Sequence, residues 1–590
     1  MLTNRDFRNL LIVRLSLCGA GLCLALFAEG ADQPQPRAIA APRDQMTAAR
    51  SPLPTQVSWG RGPFADQFLV FENGTGCLTG LNPGTLQLTP RQPVDSKGID
   101  FFNATAPNGK WSAAIHPQNS AVLIRRPDVE DAARVRQSIG VDSNPQALAI
   151  TPDSKTVLVA CDSTGPADRQ VCVVDAETGR MSCRGIPGSS NLRGIAVDPR
   201  GKFALAVHLV HKSHLPSTQI EQGWVFTNAL TWLSLDGPEI VVTVPLDLRT
   251  QAFANPEGVA IAPDGLKAFV THAGADLVSL IDLKVLRDVV NELTSGAGAP
   301  GAYQSTDFRL TRRYVTRRIA VGANPRGIAI SADGKYVAVA NRLDDSISLI
   351  DTRTDAVTAT ISLLRSGEKP LADRDALIRQ GERLFHSGAL SFAGQFSCAS
   401  CHPDGHTDGL NWDLPADGFN NFLNTKSLRG NAYTAPYGWQ GTSATLRDRF
   451  TGTLRHLFQH EPTATEAGAL EAYLVMLEHP AQNDKPSSER AAGIARGREL
   501  FVGAAGCATC HAGEKFTDRG LHDVGTDPSG QTFDTPTLLG IATAPPYLHD
   551  GRAPTLAAVF GEFNAAGLHG QARDLTAGQL ADLMLFLKSL

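Results

Sequence analysis

The sequence predicts a multidomain chain in which an all-β propeller of about seven blades precedes two all-α domains. Three observations support this prediction. Between residues 55 and 366, a strand–turn–strand pattern returns with a period in the forties, the length that a four-stranded propeller blade needs. From about residue 372 the apolar residues follow helical spacing. The helical part then repeats one pattern at an offset of about 110 residues.

Length and composition are those of a large globular protein. The chain has 590 residues, of which 42% are hydrophobic and 19% are charged, so it can form several well-packed domains. Its formal net charge is −5. This mild acidity argues against nucleic acid as a partner.

The N-terminus predicts export. Arg5, Arg8 and Arg14 precede the apolar run Leu15–Phe27, which is typical of a secretory leader and short for a membrane span. We therefore predict a cleaved signal peptide over residues 1–28 and a periplasmic or otherwise exported protein without a stable membrane span. An uncleaved anchor is the alternative. Residues 29–54 are rich in Ala, Pro, Gln and Arg and are predicted to be a linker.

The predicted propeller, residues 55–366, is defined by repeated strand starts. Asn-Pro begins three similar segments, 144–153, 255–265 and 324–335, each of which ends in a turn that contains aspartate. Alternating apolar strands flank these turns, as in β-hairpins. The unit resembles the YVTN-type repeats of secreted β-propellers. Wider spacing of the later copies predicts insertions near 206–250 and 283–320, and a β-sandwich would explain the period less well.

Two C-x-x-C-H motifs give the helical part its chemistry. In this motif two thiols, one helical turn apart, bond to the vinyl groups of haem, and the adjacent histidine reaches the iron. A disulfide or zinc site would be the alternative for one motif alone. Because the motif occurs twice, we predict two covalently bound haem c groups. The predicted attachment residues are Cys398 and Cys401, then Cys507 and Cys510, with His402 and His511 as proximal iron ligands.

Each motif follows a similar helix. Gly-x-x-Leu-Phe occurs at Gly381 and again at Gly497, which resembles the first helix of small c-type cytochrome domains, where glycine permits close packing against the last helix. We therefore predict two cytochrome c-like domains, at 372–480 and 488–590.

The second half carries a longer signature. The segment 544–556 reads Ala-Pro-Pro-Tyr-Leu-His-Asp-Gly-Arg-Ala-Pro-Thr-Leu and resembles the bacterial di-haem cytochrome c peroxidase and MauG-like family. The resemblance covers about 372–590. It implies two haems close enough to exchange electrons, of which one handles peroxide or another oxidant and the other receives electrons from a redox protein such as a small cytochrome or cupredoxin. Peroxide reduction is the specific enzymatic hypothesis.

Two residues are catalytic candidates through this resemblance. Trp412 is a candidate for the tryptophan that lies between the haems in the family, with ordinary core packing as the alternative. His549 is the second candidate, and we expect it to hydrogen-bond near the haem edge, with Asp550 beside it as a ready partner.

The distal side of each iron is less determined by the sequence. The family often has a methionine shortly after the threonine–leucine pair, but none follows Thr555-Leu556. His569, on a glycine-flanked loop, is our predicted sixth ligand of the second haem. For the first haem, His456 or His460 is a candidate, and solvated helix residues are an equal alternative.

Two further hypotheses concern the propeller. In the first, the protein is a non-peroxidatic electron-transfer module attached to a partner-binding or substrate-binding propeller. Alternatively, the propeller has its own metal site at His208, His211 and His214. Among the remaining cysteines, Cys161 and Cys172 are the most plausible disulfide pair in an exported protein.

Overall fold

The structure is a computed structural model. It describes residues 51–60, 65–94, 101–116, 120–126, 136–142, 144–163, 165, 167–215, 225–295, 302–368, 371–414, 418, 420–479, 486–564 and 566–590. The predicted leader and most of the predicted linker lie outside the described residues. Within those ranges, no helix has the length and apolarity needed to cross a membrane.

Six antiparallel sheets follow one another along the first part of the described chain. The first sheet contains β1 (Pro54–Trp59), β2 (Phe68–Glu72), β3 (Cys77–Leu81) and β4 (Gln92–Pro93), and the second contains β5 (Phe101–Thr105), β6 (Ser112–His116), β7 (Ala121–Arg125) and β8 (Arg136–Gly140). The third contains β9 (Pro145–Ile150), β10 (Thr156–Cys161), β11 (Arg169–Asp175) and β12 (Met181–Ile186).

The later sheets carry additional elements. The fourth contains β13 (Ser189–Val197), β14 (Phe203–His211), β15 (Phe226–Ser234) and β16 (Val241–Pro245), with β20 (Ala302–Gln304) added in parallel to β16. The fifth contains β17 (Pro256–Ile261), β18 (Lys267–His272), β19 (Leu277–Asp282) and β21 (Val315–Ala320). The sixth contains β22 (Pro325–Ile330), β23 (Tyr336–Asn341), β24 (Ser346–Asp351) and β25 (Ala356–Ser362).

These sheets form a β-propeller, because the first strands of neighbouring sheets pack together: β5 on β9, β9 on β13, β13 on β17, β17 on β22, and β22 on β1. Glycines permit this close approach. A Cβ atom at Gly258 would lie 2.5 Å from the carbonyl oxygen of Arg326, and one at Gly327 would lie 2.7 Å from Cα of Gln56. The glycine of the sequence repeat is therefore needed where blades meet.

The prediction of about seven blades was wrong, since the described residues contain six. The additional length between the later repeats lies inside blades. It forms strands β13, β14 and β15, which have nine residues each, the extra strand β20, and the helices α1 (Leu283–Ser295) and α2 (Thr311–Tyr314). Helix α1 buries its apolar face, including Leu286 and Val290, in the core between the fourth and fifth blades.

The disulfide prediction was also wrong. Cys172 is bonded to Cys183, whereas Cys161 is a buried free thiol. The strand register explains the difference: Cys172 lies directly opposite Cys183 on β11 and β12, but opposite Val159 rather than Cys161 on β10.

The second part of the chain contains two similar helical units. The first has α3 (Asp373–His386), α4 (Cys398–Cys401), α5 (Leu446–His456) and α6 (Ala464–Leu474), and the second has α7 (Ser488–Val502), α8 (Leu556–Phe560) and α9 (Ala577–Leu587). Helix α3 packs on α6, and α7 packs on α9. A Cβ atom at Gly381 would lie 1.9 Å from the Ala469 carbonyl oxygen, and one at Gly497 would lie 2.0 Å from that of Asp582. Glycine therefore permits both crossings, as the sequence predicts.

The prediction of two all-α domains was wrong. Each contains a short antiparallel ribbon, β26 (Asn411–Asp413) with β27 (Phe422–Asn424) in the first and β28 (Leu521–His522) with β29 (Phe533–Asp534) in the second. These two- and three-residue strands carry no period-2 pattern long enough to be recognised in the sequence.

Candidate functional site

The first C-x-x-C-H motif forms helix α4. Ser397 and Ser400 form a reciprocal capping box at its N-terminus, which fixes the start of the turn that carries both cysteines. Cys398, Cys401 and His402 line one cavity of about 200 Å³. Nδ1 of His402 is 3.0 Å from the carbonyl oxygen of His406, so Nε2 is left for a metal. Burial lowers the pKa of His402 to about 4, which keeps the ring neutral, as iron ligation requires.

The remainder of this first cavity is mainly apolar. Its apolar lining comes largely from α3, α5 and α6 and includes Phe385, Phe450, Leu454, Leu457, Phe458, Leu470 and Leu474. Among the described residues that line it, His402 is the only histidine, and there is no methionine. His456 is exposed and does not line the cavity. His460 also lies outside it and contacts Glu466 at 3.3 Å.

The second motif begins after a left-handed glycine, Gly506, and forms a short 3₁₀ turn at Cys507–Thr509. Cys507, Cys510 and His511 line a cavity of about 250 Å³. Nδ1 of His511 is 3.1 Å from the carbonyl oxygen of Phe516, so this histidine is oriented in the same way as His402. The two motifs therefore present equivalent ligands to two separate cavities.

His569 lies across the second cavity from His511. The ring centroids are 6.4 Å apart and the ring planes differ by 34°. A metal ion held between the two rings by metal–nitrogen bonds of about 2 Å would fit this separation. Burial lowers the pKa of His569 to about 4, and its buried Nδ1 has no hydrogen-bond partner in the described structure. Asn564 fixes the loop by accepting a hydrogen bond from the backbone NH of His569 at 2.9 Å.

These residues fit haem c. Each cavity combines two thiols, one neutral histidine with its Nδ1 already occupied, and apolar walls. Burial raises the pKa of Cys398 to about 12 and that of Cys507 to about 11, so neither thiol is placed to act as a free thiolate. The arrangement suits thioether attachment better than a thiolate metal site.

One wall separates the two cavities. The residues that line both are Asn424, Thr425, Lys426, Asn431, Trp439, Asp534, Pro536 and Thr537. The indole NH of Trp439 donates to the carbonyl oxygen of Asn424 at 2.7 Å. The NH of Asn424 in turn donates to the carbonyl oxygen of His549 at 2.7 Å. The wall is therefore a hydrogen-bonded connection between the units, with one aromatic ring facing both cavities.

Trp412, the tryptophan that we selected from the sequence, lies elsewhere. It lines the first cavity only, packs against Phe226 of the propeller at 5.1 Å, and donates from its indole NH to Asp408 at 3.2 Å. Trp439 was missed, although the sequence contained a signal for it. The two units are related by an offset of 110 residues, so Trp439 in the first unit is the sequence equivalent of His549 in the second.

His549 is buried in the second cavity wall. Its ring stacks on Phe533 with centroids 4.0 Å apart, and Thr526 Oγ1 is 3.4 Å from its Nδ1. Burial lowers the pKa of His549. The expected partner Asp550 is instead paired with Arg552, because the turn points the carboxylate toward that side chain.

The propeller holds the first motif through the asparagines that begin its repeats. Nδ2 of Asn191 donates to the Ser400 carbonyl oxygen at 3.0 Å. Asn255 donates to Ser397 Oγ at 2.7 Å and accepts from Ser400 Oγ at 2.6 Å. Both asparagines have a positive φ, 50° and 55°, which asparagine tolerates better than most residues. The capping serines of α4 are therefore bound by two different blades.

Charged residues extend this contact. Asp404, two residues after His402, pairs with Arg193 at 3.1 Å and with Arg326 at 3.2 Å. These arginines come from the first strands of the fourth and sixth blades. Partial burial would raise the pKa of Asp404, but the positive charges of Arg193 and Arg326 hold it well below its usual range. Water still reaches 41% of the Asp404 side chain, so the ion pairs are screened.

The predicted metal cluster in the propeller does not form. His208 is buried, with Nε2 2.7 Å from Thr231 Oγ1 and Nδ1 2.9 Å from the Leu209 carbonyl oxygen. Among the described residues, only Cys510, Asp518 and His522 bring three potential metal ligands together. This group contains a cysteine of the second C-x-x-C-H motif and none of the three propeller histidines. His208, His211 and His214 are therefore separate residues of the fourth blade.

Comparisons with known proteins match parts of this chain. A family model for di-haem cytochrome c peroxidase matches residues 375–479. The chain is 32% identical over 232 residues to hydrazine synthase subunit beta of Kuenenia stuttgartiensis, which covers 39% of this chain and 59% of that protein. It is 31% identical over 281 residues to subunit gamma from the same organism, covering 37% of this chain and 78% of that protein.

A third relative is the methylamine utilization protein MauG of Methylophilus methylotrophus. The identity is 24% over 298 residues, covering 40% of this chain and 87% of MauG. These relatives match parts of the chain, and the chain spans only 59% of the length of the beta subunit. On the family match at residues 375–479 and these relatives, the chain belongs to the di-haem cytochrome c peroxidase and MauG-like family of redox haem proteins.

Proposed function

We propose that this protein is an exported di-haem c-type oxidoreductase with two unequal haem sites. The second site exchanges electrons with a redox protein, and the first binds and reduces a small substrate, with peroxide as the specific candidate. The observation that carries this proposal is the asymmetry of the cavities. His569 faces His511 at 6.4 Å in the second, while the described lining of the first has no second histidine or methionine.

The residues have separate roles in this proposal. Cys398 and Cys401 would hold one haem with His402 as ligand, and Cys507 and Cys510 would hold the other between His511 and His569. A bound haem c supplies an iron that gains and loses single electrons and, where its sixth position is open, binds a small ligand. Phe450, Leu454, Leu457 and Phe458 limit the access of water to the first cavity, which favours a small or weakly hydrated substrate.

The second cavity is the better position for a protein partner. Leu568 lines this cavity, yet 58% of its surface is exposed. Val502 and Leu521, which follow and precede the cavity-lining residues Phe501 and His522 in the chain, also have exposed side chains. Exposed apolar residues beside a cofactor edge suit the weak, transient contacts of electron-transfer proteins. A small cytochrome or cupredoxin is the class of partner that we propose here.

Export is supported by the leader-like sequence and by a structural feature. Cys172 and Cys183 form a disulfide, and disulfides persist mainly in oxidising compartments outside the cytoplasm. We therefore propose that the protein acts in the periplasm or an equivalent exported location.

A second candidate function follows from the relatives. Two different subunits of one enzyme, named hydrazine synthase, each resemble nearly two-fifths of this single chain. This favours membership of a multi-subunit complex and a synthase reaction that forms hydrazine. The same open first cavity would then serve that chemistry in place of peroxide reduction.

Electron paramagnetic resonance (EPR) of the holoprotein tests the proposed asymmetry. We expect one low-spin haem and one high-spin haem in the oxidised protein, and we expect the high-spin haem to bind one cyanide per chain. Two low-spin haems that do not bind cyanide would contradict an open first site. Two assays then separate the candidate reactions. One measures the consumption of peroxide by this protein with a reduced small cytochrome as electron donor, and the other measures the formation of hydrazine.

A further inference from the structure

Lys426 occupies an unusual position in the wall between the cavities. Its Nζ lies 4.4 Å from the ring centroid of Trp439 and over the ring face. Asp534 Oδ2 is 3.0 Å from the same Nζ, and the Gly438 carbonyl oxygen is 3.3 Å away. Because only 6% of the Asp534 side chain and 20% of the Lys426 side chain are exposed, water screens this charge pair weakly.

The indole beneath this ammonium is held firmly. Its NH donates to the Asn424 carbonyl oxygen at 2.7 Å, and the Trp439 carbonyl oxygen accepts from the Asp534 NH at 2.7 Å. Asp534 therefore fixes both the tryptophan backbone and the cation over its ring. The cation–ring geometry is set by two elements, β29 and the segment that follows β27.

A cation over an aromatic face affects the oxidation of that ring. The neutral indole attracts the ammonium through its quadrupole. An indole that has lost one electron is positively charged and repels the ammonium, and the repulsion is strong where water is excluded. The Lys426 charge therefore makes it harder to remove an electron from Trp439.

We propose that Lys426, held by Asp534, is a positioning residue that keeps Trp439 reduced while the adjacent first cavity handles an oxidant. Trp439 faces both cavities, so it is the aromatic group in the wall that an oxidising centre on either side would reach. The charge protects this ring from oxidative loss. This inference goes beyond the proposed function, and its test does not depend on which substrate the first cavity reduces.

Flash-quench oxidation tests the inference directly on the holoprotein with both haems ferric. Photoexcited tris(bipyridine)ruthenium(II) is quenched by hexaamminecobalt(III), which gives ruthenium(III). Ruthenium(III) then takes one electron from Trp439 and returns to ruthenium(II), while the indole proton stays hydrogen-bonded to the Asn424 carbonyl oxygen. The tryptophan radical is measured by transient absorption and by EPR of frozen samples. Its Trp439-dependent part is the difference from the same protein carrying Trp439→Phe.

The Lys426 variants separate charge from structure. We expect Lys426→Met and Lys426→Gln each to raise the Trp439-dependent radical yield about threefold or more, with the low wild-type yield kept in Lys426→Arg. Lys515→Met is the matched control, since Lys515 contacts the Gly430 carbonyl oxygen at 3.5 Å and not the indole, and it should leave the yield unchanged. Equal yields in the wild type and both neutral variants would overturn the inference. So would a Lys426→Arg yield as high as that of Lys426→Met, because disturbed packing would then be the cause.

Discussion

The first helical unit contacts the propeller through its C-x-x-C-H motif, whereas the motif of the second unit is less buried: Thr509 is exposed where the equivalent Ser400 is buried. Helix α4 is capped by Ser397 and Ser400, and propeller asparagines bind both serines. The second motif begins at a left-handed glycine, Gly506, and has no side-chain cap. The same local sequence pattern thus has two different supports.

The difference continues on the opposite side of each cavity. In the second unit a short α8 is followed by a loop that brings in His569. In the first unit α5 has eleven residues and presents Phe450 and Leu454 to the cavity instead. In one copy of the duplicated unit a second histidine therefore faces the motif histidine and could hold a haem iron with it, whereas the described lining of the other copy offers no such second residue. Propeller residues such as Val225 and Phe226 pack around the first cavity.

The largest expected effect is the loss of one haem. Replacing Cys398 and Cys401 together by alanine removes both thioether attachments of the first unit and leaves the second motif intact. We expect the haem content, measured per chain by the pyridine haemochrome assay, to fall from two to one, and Cys507→Ala with Cys510→Ala should do the same. An unchanged content of two after either double replacement would contradict covalent attachment at that motif.

The next effect concerns spin state. His569→Gly removes the side chain that faces His511, so the second haem should change from low spin to a form that binds added imidazole. EPR and imidazole titration measure this change.

His456→Ala is the matched control for that variant. His456 is the last residue of α5, and it is exposed and outside the first cavity, so the spectra of His456→Ala should equal those of the wild type. If His456→Ala altered the spin state and His569→Gly did not, the assignment of the two cavities would be reversed.

Much of the fold could be predicted because its signals are periodic. The propeller repeat, the helical spacing and the glycines Gly381 and Gly497 each report a local packing requirement that the structure contains. The blade number could not be derived in this way, since residues added within a blade and residues that form a new blade lengthen the sequence equally. The partner of Cys172 depended on strand register, which the spacing of three cysteines does not determine.

The candidate site shows the same limit. The C-x-x-C-H residues are adjacent in sequence, and they line the cavities as expected. Trp412 was predicted to lie between the haems through the family resemblance, whereas the wall is made by residues from both units and contains Trp439 instead. The contact of Asn255 with Ser400 joins residues 145 positions apart, and no local pattern indicates it.

The contribution of the propeller to the first unit can be measured with Asn255→Gly. Glycine accepts the positive φ of this position, so the variant removes the two buried hydrogen bonds to Ser397 and Ser400 without added backbone strain. We expect a loss of about 2–3 kcal/mol in the free energy of unfolding, together with a change in the spectrum of the first haem only. Chemical denaturation and EPR are the measurements.

Asn324→Gly provides the comparison. Asn324 occupies the same repeat position with φ 54°, but its side chain donates to the Ala273 carbonyl oxygen at 3.1 Å rather than to the motif. It should destabilise the propeller without altering either haem spectrum. If both variants shifted the first haem equally, the effect would arise from the propeller as a whole and not from the Asn255 contact.

The smallest effect that we predict depends on pH and belongs to the propeller rather than to the haem units. Burial lowers the pKa of His272 to about 3; its Nδ1 is 2.7 Å from the Phe253 carbonyl oxygen, and Ser279 Oγ is 2.6 Å from its Nε2. Since the unfolded histidine has a pKa of about 6.5, the unfolded chain binds more protons below that pH. The stability that the neutral ring contributes is complete above pH 6.5 and is lost as the pH falls toward 3. From pH 7.5 to pH 5 this amounts to about 2 kcal/mol.

Hydrogen exchange of the β18 amides measures that loss in the blade concerned. His272→Gln keeps a polar side chain that does not titrate, so its exchange rates, corrected for intrinsic pH dependence, should change less between pH 7.5 and pH 5 than those of the wild type. His456→Ala again serves as control, because His456 lies at the end of α5 in the first helical unit and not in this blade. Equal pH dependences in the wild type and in His272→Gln would show that His272 is not the titrating group, and any acid sensitivity of the propeller would then belong to another buried histidine such as His208, whose pKa burial lowers to about 4.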